Sequence, residues 1–150
     1  MRTGVRLGID VGKVRIGVAR SDLHGMLATP VETVARAGSG TRDIDRLLEL
    51  CAELEVVEII VGLPLALSGA RTASTEDASG FAERLFEAAG LPTRMIDERL
   101  TTVSAQSALH ANGRTTKSSR PVIDQVAAVI LLQQALDSER ASGNPPGIAI

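Results

Sequence analysis

The chain has no tryptophan and no tyrosine, and its two phenylalanines are Phe81 and Phe86. That scarcity argues against a protein that stacks single-stranded bases on aromatic platforms. Cys51 is the only cysteine, which excludes an intrachain disulfide and a cysteine-rich metal site. Free cysteine is usually a core residue. Ile44, Leu47, Leu48, Cys51 and Leu54 follow helical spacing on one face, so burial is the first expectation. An exposed Cys51 would instead be a candidate for an inter-chain disulfide in a homodimer. No apolar run approaches the ~20 residues of a membrane span, and "MRTGV" has no signal-peptide layout. No membrane partner and a cytoplasmic location are therefore expected. Charge of one sign is also missing: 16 basic against 18 acidic residues give a net charge of −2. This excludes a broad basic coat for nucleic acid but leaves room for a local basic groove.

What is present suits one domain. The 150 residues are 44% hydrophobic and 23% charged, enough for one sizeable core. Residues 5–11 and 15–20 read as two strands of a tight hairpin. A third strand lies within "LATPVETV", 27–34, with Pro30 placing it near an edge. "TRDIDRLLELCAELE" has helical periodicity, and "VVEIIVG", 56–62, reads as a buried strand. A helix is expected from about Thr75 to Ala89, stopped by Gly90 and Pro92. "TRMID" is a fifth strand and "TTVSAQSALHANG" a short helix. Pro121 opens a last helix to about Ser138, since proline suits a first turn. Residues 1–139 form the expected domain and 140–150 a flexible tail. Three antiparallel strands followed by alternating helices and strands imply an α/β protein, with a mixed five-stranded sheet flanked by helices. The ribonuclease H-like fold has this order.

Three carboxylates stand out by position. Asp10 lies inside the first strand, where Asp is disfavoured. Glu98 ends the fifth strand, and Asp124 is in the first turn of the last helix before the apolar "QVAAVILLQQAL". In this order of strands the first and fourth are central neighbours, so the three acids could converge. Clustered carboxylates need a cation to stay ionised, and oxygen-only ligands point to Mg²⁺ or Mn²⁺. Two such ions stabilise the attacking and leaving oxygens in phosphodiester cleavage. Each acid also has a plainer role open to it: Asp10 beside the Gly12 turn or Arg15, Glu98 beside Arg99, Asp124 at a helix terminus.

Four segments, "GIDVGKVRIGVARSD", "IIVGLPLALSG", "DERLTT" and "IDQVAAVILLQQAL", together resemble the motifs of the YqgF/RuvX family of Holliday-junction resolvases, also described as nucleases of the 16S ribosomal RNA precursor. The resemblance covers nearly all of residues 5–137. It implies a ribonuclease H-like nuclease with Asp10, Glu98 and Asp124 as its acidic triad. A resolvase cutting both strands of a junction would act as a twofold dimer. The chain departs from the family pattern at Val14, where one of a basic pair is usual, and at Ala66 and Ser68. Candidate contacts to nucleic acid are Lys13, Arg15 and Arg20 on the hairpin, Arg99 beside Glu98, and Arg114, Lys117 and Arg120. The last three fall in a stretch, Leu100 to Ile123, that has no Asp or Glu. The competing classes are a non-catalytic nucleic-acid module, a structural protein with salt-bridged acids, and an actin- or sugar-kinase-like nucleotide binder. That last class shares the "GID-x-G" turn but needs a second such domain.

Overall fold

A computed structural model describes the backbone of residues 1–99 and 116–150 and the side chains of 1–99 and 124–150. The helix expected over 101–113, together with Arg114 and the side chains of Lys117 and Arg120, lies outside the described residues. The elements are β1 (Val5–Val11), β2 (Arg15–Ser21), β3 (Ala28–Ala35), α1 (Arg42–Glu53), β4 (Val56–Leu63), α2 (Ala73–Ala89), β5 (Thr93–Asp97), α3 (Thr116–Ser142) and β6 (Ile148–Ala149). They build one sheet in the order β3-β2-β1-β4-β5-β6. β1 pairs antiparallel with β2 and parallel with β4, so it is a central strand. β3 is an edge, as Pro30 suggested, and the register slips by one residue where Ala19 meets Pro30.

The strands alternate and so present two faces. Leu7, Ile9, Ile16, Val18, Ile59 and Val61 pack with Ile44, Leu47 and Cys51 of α1 and with Ala78, Phe81, Ala82 and Leu85 of α2. On the other face Ala19 and Ile60 meet Ala128, Leu132, Ala135 and Leu136 of α3. Cys51 is therefore a core residue, 8% exposed, and burial pushes its thiol up to about 11. An inter-chain disulfide needs an exposed thiol, and this position does not supply one.

Three boundaries differ from the expectation. α3 begins at Thr116, five residues before Pro121, rather than at the proline. It also continues past Ser138, because Glu139, which looks like surface, is buried against Arg6. Gly143 at φ 76° then ends it, its N–H bonding to the Glu139 carbonyl. The sheet has six strands, not five: within the stretch expected as a tail, Ile148 pairs with Met95 and Ala149 with Arg94. The Arg94 side chain helps hold the strand by donating to the carbonyls of Pro146 and Gly147. Two paired residues are too few for any periodicity to show.

At the end of the sheet where β1 begins, Arg2 bridges Glu58 and Glu139, and Arg6 reaches Glu139 at 3.2 Å. Arg6, Glu58 and Glu139 are each under 5% exposed, so the charges survive only as a paired set. Burial alone would raise the Glu139 carboxyl. Hydrogen bonds from the Arg2 side chain and backbone, and the charges of Arg2 and Arg6, outweigh it and hold the group below its ordinary range. A folded pKa below the unfolded one gives stability that is present above the unfolded value and is lost as pH falls through the folded one. Glu139→Gln should cost about 3 kcal/mol at pH 7 by stranding Arg6 and should flatten the acid limb of the stability profile. Denaturant melts of both proteins between pH 3 and 7 would read this (range set by the ordinary Glu pKa of about 4.3).

Thr72 caps α2 by accepting from the Thr75 N–H, and Gly90 closes it in the left-handed region. Gly80 sits mid-helix, and a Cβ there would meet no atom within 4 Å. Gly80→Ala should therefore stabilise the protein by about 0.8–1 kcal/mol, read as a higher denaturant midpoint with unchanged slope.

Candidate active site

Asp10 lies near the end of β1, opposite Gly17 of β2. Alternation puts it on the same face as Gly8, under α3. Glu98 follows β5 directly, and its N–H bonds to the Leu63 carbonyl, which prolongs the alignment with β4. Its side chain then crosses β4 above Gly62, where a Cβ would collide with its carboxylate. That passage brings Glu98 to Asp10, and the two carboxyls share a hydrogen bond. Asp124 comes from within α3, past its first two turns rather than in the first turn as expected, because the helix starts at Thr116. Its carbonyl rests on Gly17, where a Cβ would overlap it. A pocket of about 250 Å³ is lined by all three acids with Gly12, Lys13, Pro64, Ser74 and Asp77.

The electrostatics of the acids are uneven. Burial, then the charge of Asp10, pushes Glu98 up to about 8. Burial also raises Asp10, with the charge of Asp124 adding to the effect. Two carboxyls in contact cannot both ionise freely, so the pair holds one proton near neutrality. No cation neutralises either of them among the described residues. Asp124 is raised by burial but restrained by Arg15, whose Nε donates to its Oδ2 at 3.1 Å. Among the described residues no three side chains make a closed group of metal ligands. Two carboxylates meet, and the third faces a guanidinium. The donor set is nonetheless all carboxylate, and the shared proton occupies a place that a hard cation would take. These residues fit such an ion.

The plainer roles for two acids do not hold. Arg99 pairs with Asp97, not Glu98, and also donates to the Leu67 carbonyl. Arg15 pairs with Asp124, not Asp10. Of the candidate basic residues, Lys13 is exposed and lines the acid pocket, and Arg15 is beside it. Arg99 lines a separate depression of about 460 Å³ with Leu67, Asp97 and Gln134. Arg20 does not join the site. It pairs with Leu7, three register steps from Gly17, and alternation turns it to the α1/α2 face. Sequence reasoning missed Arg36 and Asp77. Arg36 donates to the Gly12 carbonyl at 2.7 Å and makes a two-pronged bond to Asp77 at 2.9 Å, tying the β1–β2 turn to α2. Nothing local in either segment signals a contact between residues so far apart in sequence.

A family model described as RuvX, Holliday junction resolvase, matches residues 4–138. The chain belongs to the RuvX family. Curated relatives include a Clavibacter sepedonicus protein, 61% identical over 150 residues, covering 100% of this chain and 93% of that one. Another, from Leifsonia xyli subsp. xyli, is 65% identical over 147 residues, covering 98% and 94%. Both bear the name "Putative pre-16S rRNA nuclease". Among solved structures, Thermus thermophilus RuvC in complex with a Holliday junction substrate superposes with a TM-score of 0.59 at 18% identity, over 95% of this chain and 99% of that one. The likeness establishes the ribonuclease H-like fold. Within the family's first motif, Val14 is 64% exposed at the hairpin tip, while Lys13 carries its charge to the pocket.

The backbone contact at Gly17 gives a direct test of how the family site is set. Gly17→Ala should push α3 off β2, costing about 1–3 kcal/mol as an overpacked core does. It should also displace Asp124 and so lower any activity of the site by more than the lost stability accounts for. Activity measured well below the melting temperature of the variant separates the two effects.

Proposed function

We propose that this protein is a metal-dependent endonuclease that hydrolyses phosphodiester bonds in structured nucleic acid, as a Holliday-junction resolvase, as a nuclease maturing the 5′ end of 16S ribosomal RNA, or as both. The observation that carries the reading is the Asp10–Glu98 contact: two carboxyls pressed together with no cationic partner among the described residues, at one pocket with Asp124, in a RuvX chain. A salt-bridge role would leave each acid a cationic partner, and among the described residues only Asp124 has one.

Asp10, Glu98 and Asp124 would hold Mg²⁺ or Mn²⁺. When bound, such ions lower the pKa of water and stabilise charge on the attacking and leaving oxygens. The chain's own residues do the rest. Asp10, fixed in a central strand, and Glu98, threaded over Gly62, form a rigid pair of oxygen donors. Lys13, on the turn braced by Arg36, presents positive charge at the pocket mouth to a phosphate. Backbone contacts of this kind carry no sequence information, which suits a shape-selective enzyme. Symmetrical cutting of a junction would require two copies of the chain. No helix among the described residues is long and apolar enough to cross a membrane.

Asp10→Asn should abolish Mg²⁺- or Mn²⁺-dependent cleavage while leaving the metal-free fold as stable or slightly more so, because the pair no longer has to carry a buried negative charge. The assay compares a four-way DNA junction, a duplex, single strands and a ribosomal RNA precursor, with product ends mapped. Cleavage at wild-type rate by the variant would refute the site. The preferred substrate decides between the two nucleolytic roles.

A further inference from the structure

We propose that Arg15 couples nucleic-acid binding to metal binding by exchanging partners, from Asp124 in the free protein to a substrate phosphate in the complex. The proposal rests on the metal-dependent nuclease reading above and adds how that site is completed.

Asp10 and Glu98 already meet, yet Asp124 does not join them; its Oδ2 accepts from Arg15 Nε at 3.1 Å. The site is thus two-thirds assembled, and the missing third is held by a cation that belongs to the protein. A divalent ion approaching Asp124 meets the guanidinium at the same carboxylate, so the ion pair and the metal compete. Arg15 is able to leave. Its side chain is 34% exposed, it stands at the first position of β2, and Asp124 is 20% exposed at the same opening. A phosphate at the pocket mouth offers the planar guanidinium a two-pronged partner at least as good as the carboxylate. Arg15 would then turn outward, and Asp124 would be released toward the other two acids. The chain so avoids a fully open three-carboxylate cage, with its repulsion, until nucleic acid is present. Lys13 provides the contrast. It lines the same pocket without an ion pair among the described residues, so its capture by a phosphate frees no ligand.

The exchange makes the two affinities reciprocal. The test measures the Mn²⁺ dissociation constant by calorimetry for wild type, Arg15→Gln and Lys13→Gln. Each protein is titrated alone and saturated with a phosphorothioate four-way DNA junction, after thermal melts confirm folding. The junction should tighten Mn²⁺ binding to wild type by about tenfold, a usual size for coupling between sites. Arg15→Gln should bind Mn²⁺ several-fold tighter than wild type without the junction and should lose most of the gain with it. Lys13→Gln, which removes the same charge from the pocket without freeing a ligand, should tighten Mn²⁺ less than Arg15→Gln does and should keep the gain with the junction. If Arg15→Gln does not fold, Arg15→Lys, which keeps the charge but not the fork, should shift in the same direction by less. Arg15→Gln that binds Mn²⁺ no tighter than wild type, or that keeps the full gain, overturns the exchange and leaves the nuclease reading standing. A wild type that binds no Mn²⁺ in either condition overturns both.

Discussion

Helix α3 lies against the sheet only because the strands beneath it present glycine at the points of contact. A Cβ on Gly17 would overlap the Asp124 carbonyl, one on Gly8 would come within 2.8 Å of the Leu132 Cβ, and one on Gly62 would block the Glu98 carboxylate. Glycine inside a strand weakens it and often marks the close approach of another backbone. Here three strands share that device on one face, and both the second core and the acid pocket depend on it. Gly8 sets the helix close enough for Leu132 and Ala128 to bury against the sheet. Gly17 places Asp124, and Gly62 opens the path by which an acid beyond β5 reaches one on β1. The geometry of the site therefore follows from the geometry of the packing.

The two ends of the sheet treat charge in opposite ways. Near the start of β1, buried Arg6, Glu58 and Glu139 and the half-exposed Arg2 satisfy one another in a set that also pins the end of α3. Near the end of β1, Asp10 and Glu98 face each other with no cation among the described residues, and both are held above their ordinary range by burial. An unpaired carboxyl in a central strand lowers stability, and nothing in the packing requires it. β1 runs from the stabilising network at one end to the buried acid pair at the other, and α3 packs along it, carrying Glu139 to the first and Asp124 to the second. That arrangement lets the fold carry an unfavourable charge cluster where chemistry needs one.

Much of this was legible in the sequence, for physical reasons. Strands β1, β2 and β4 announce themselves by β-branched apolar runs, and the faces of α1 and α2 by their 3.6-residue spacing. Asp10 is conspicuous because a strand disfavours it, Glu98 because it ends a strand, and Asp124 because it leads into an apolar helical run that has to pack on the sheet. What stayed hidden depends on tertiary contact. Glu139 reads as surface until Arg6 is placed beside it, so the true length of α3 could not be read. β6 is two residues long and exists through Arg94. Arg36 and Asp77 meet across forty-one positions. Arg20 looked equivalent to Lys13 and Arg15 in a basic stretch, yet the alternation of β2 sends it to the other face.

An acidic pocket on a protein of net charge −2 repels a polyanion, so on the nuclease reading attraction has to come from charges placed beside the acids. The β1–β2 turn meets that need at short range. It carries Lys13 and Arg15, and Arg36 holds it in place through the Gly12 carbonyl while Asp77 absorbs the charge of Arg36. A metal ion would supply the remaining positive charge, and its own affinity depends on carboxylates that the phosphate's arrival leaves free. Metal and nucleic acid then each remove an obstacle to the other: the ion cancels the repulsion that the phosphate feels, and the phosphate takes the guanidinium that the ion would have to displace. The slight negative charge of the protein as a whole is consistent with this division of labour. On that reading affinity would be confined to the place where both partners are present, and a duplex elsewhere on the surface would gain nothing from it.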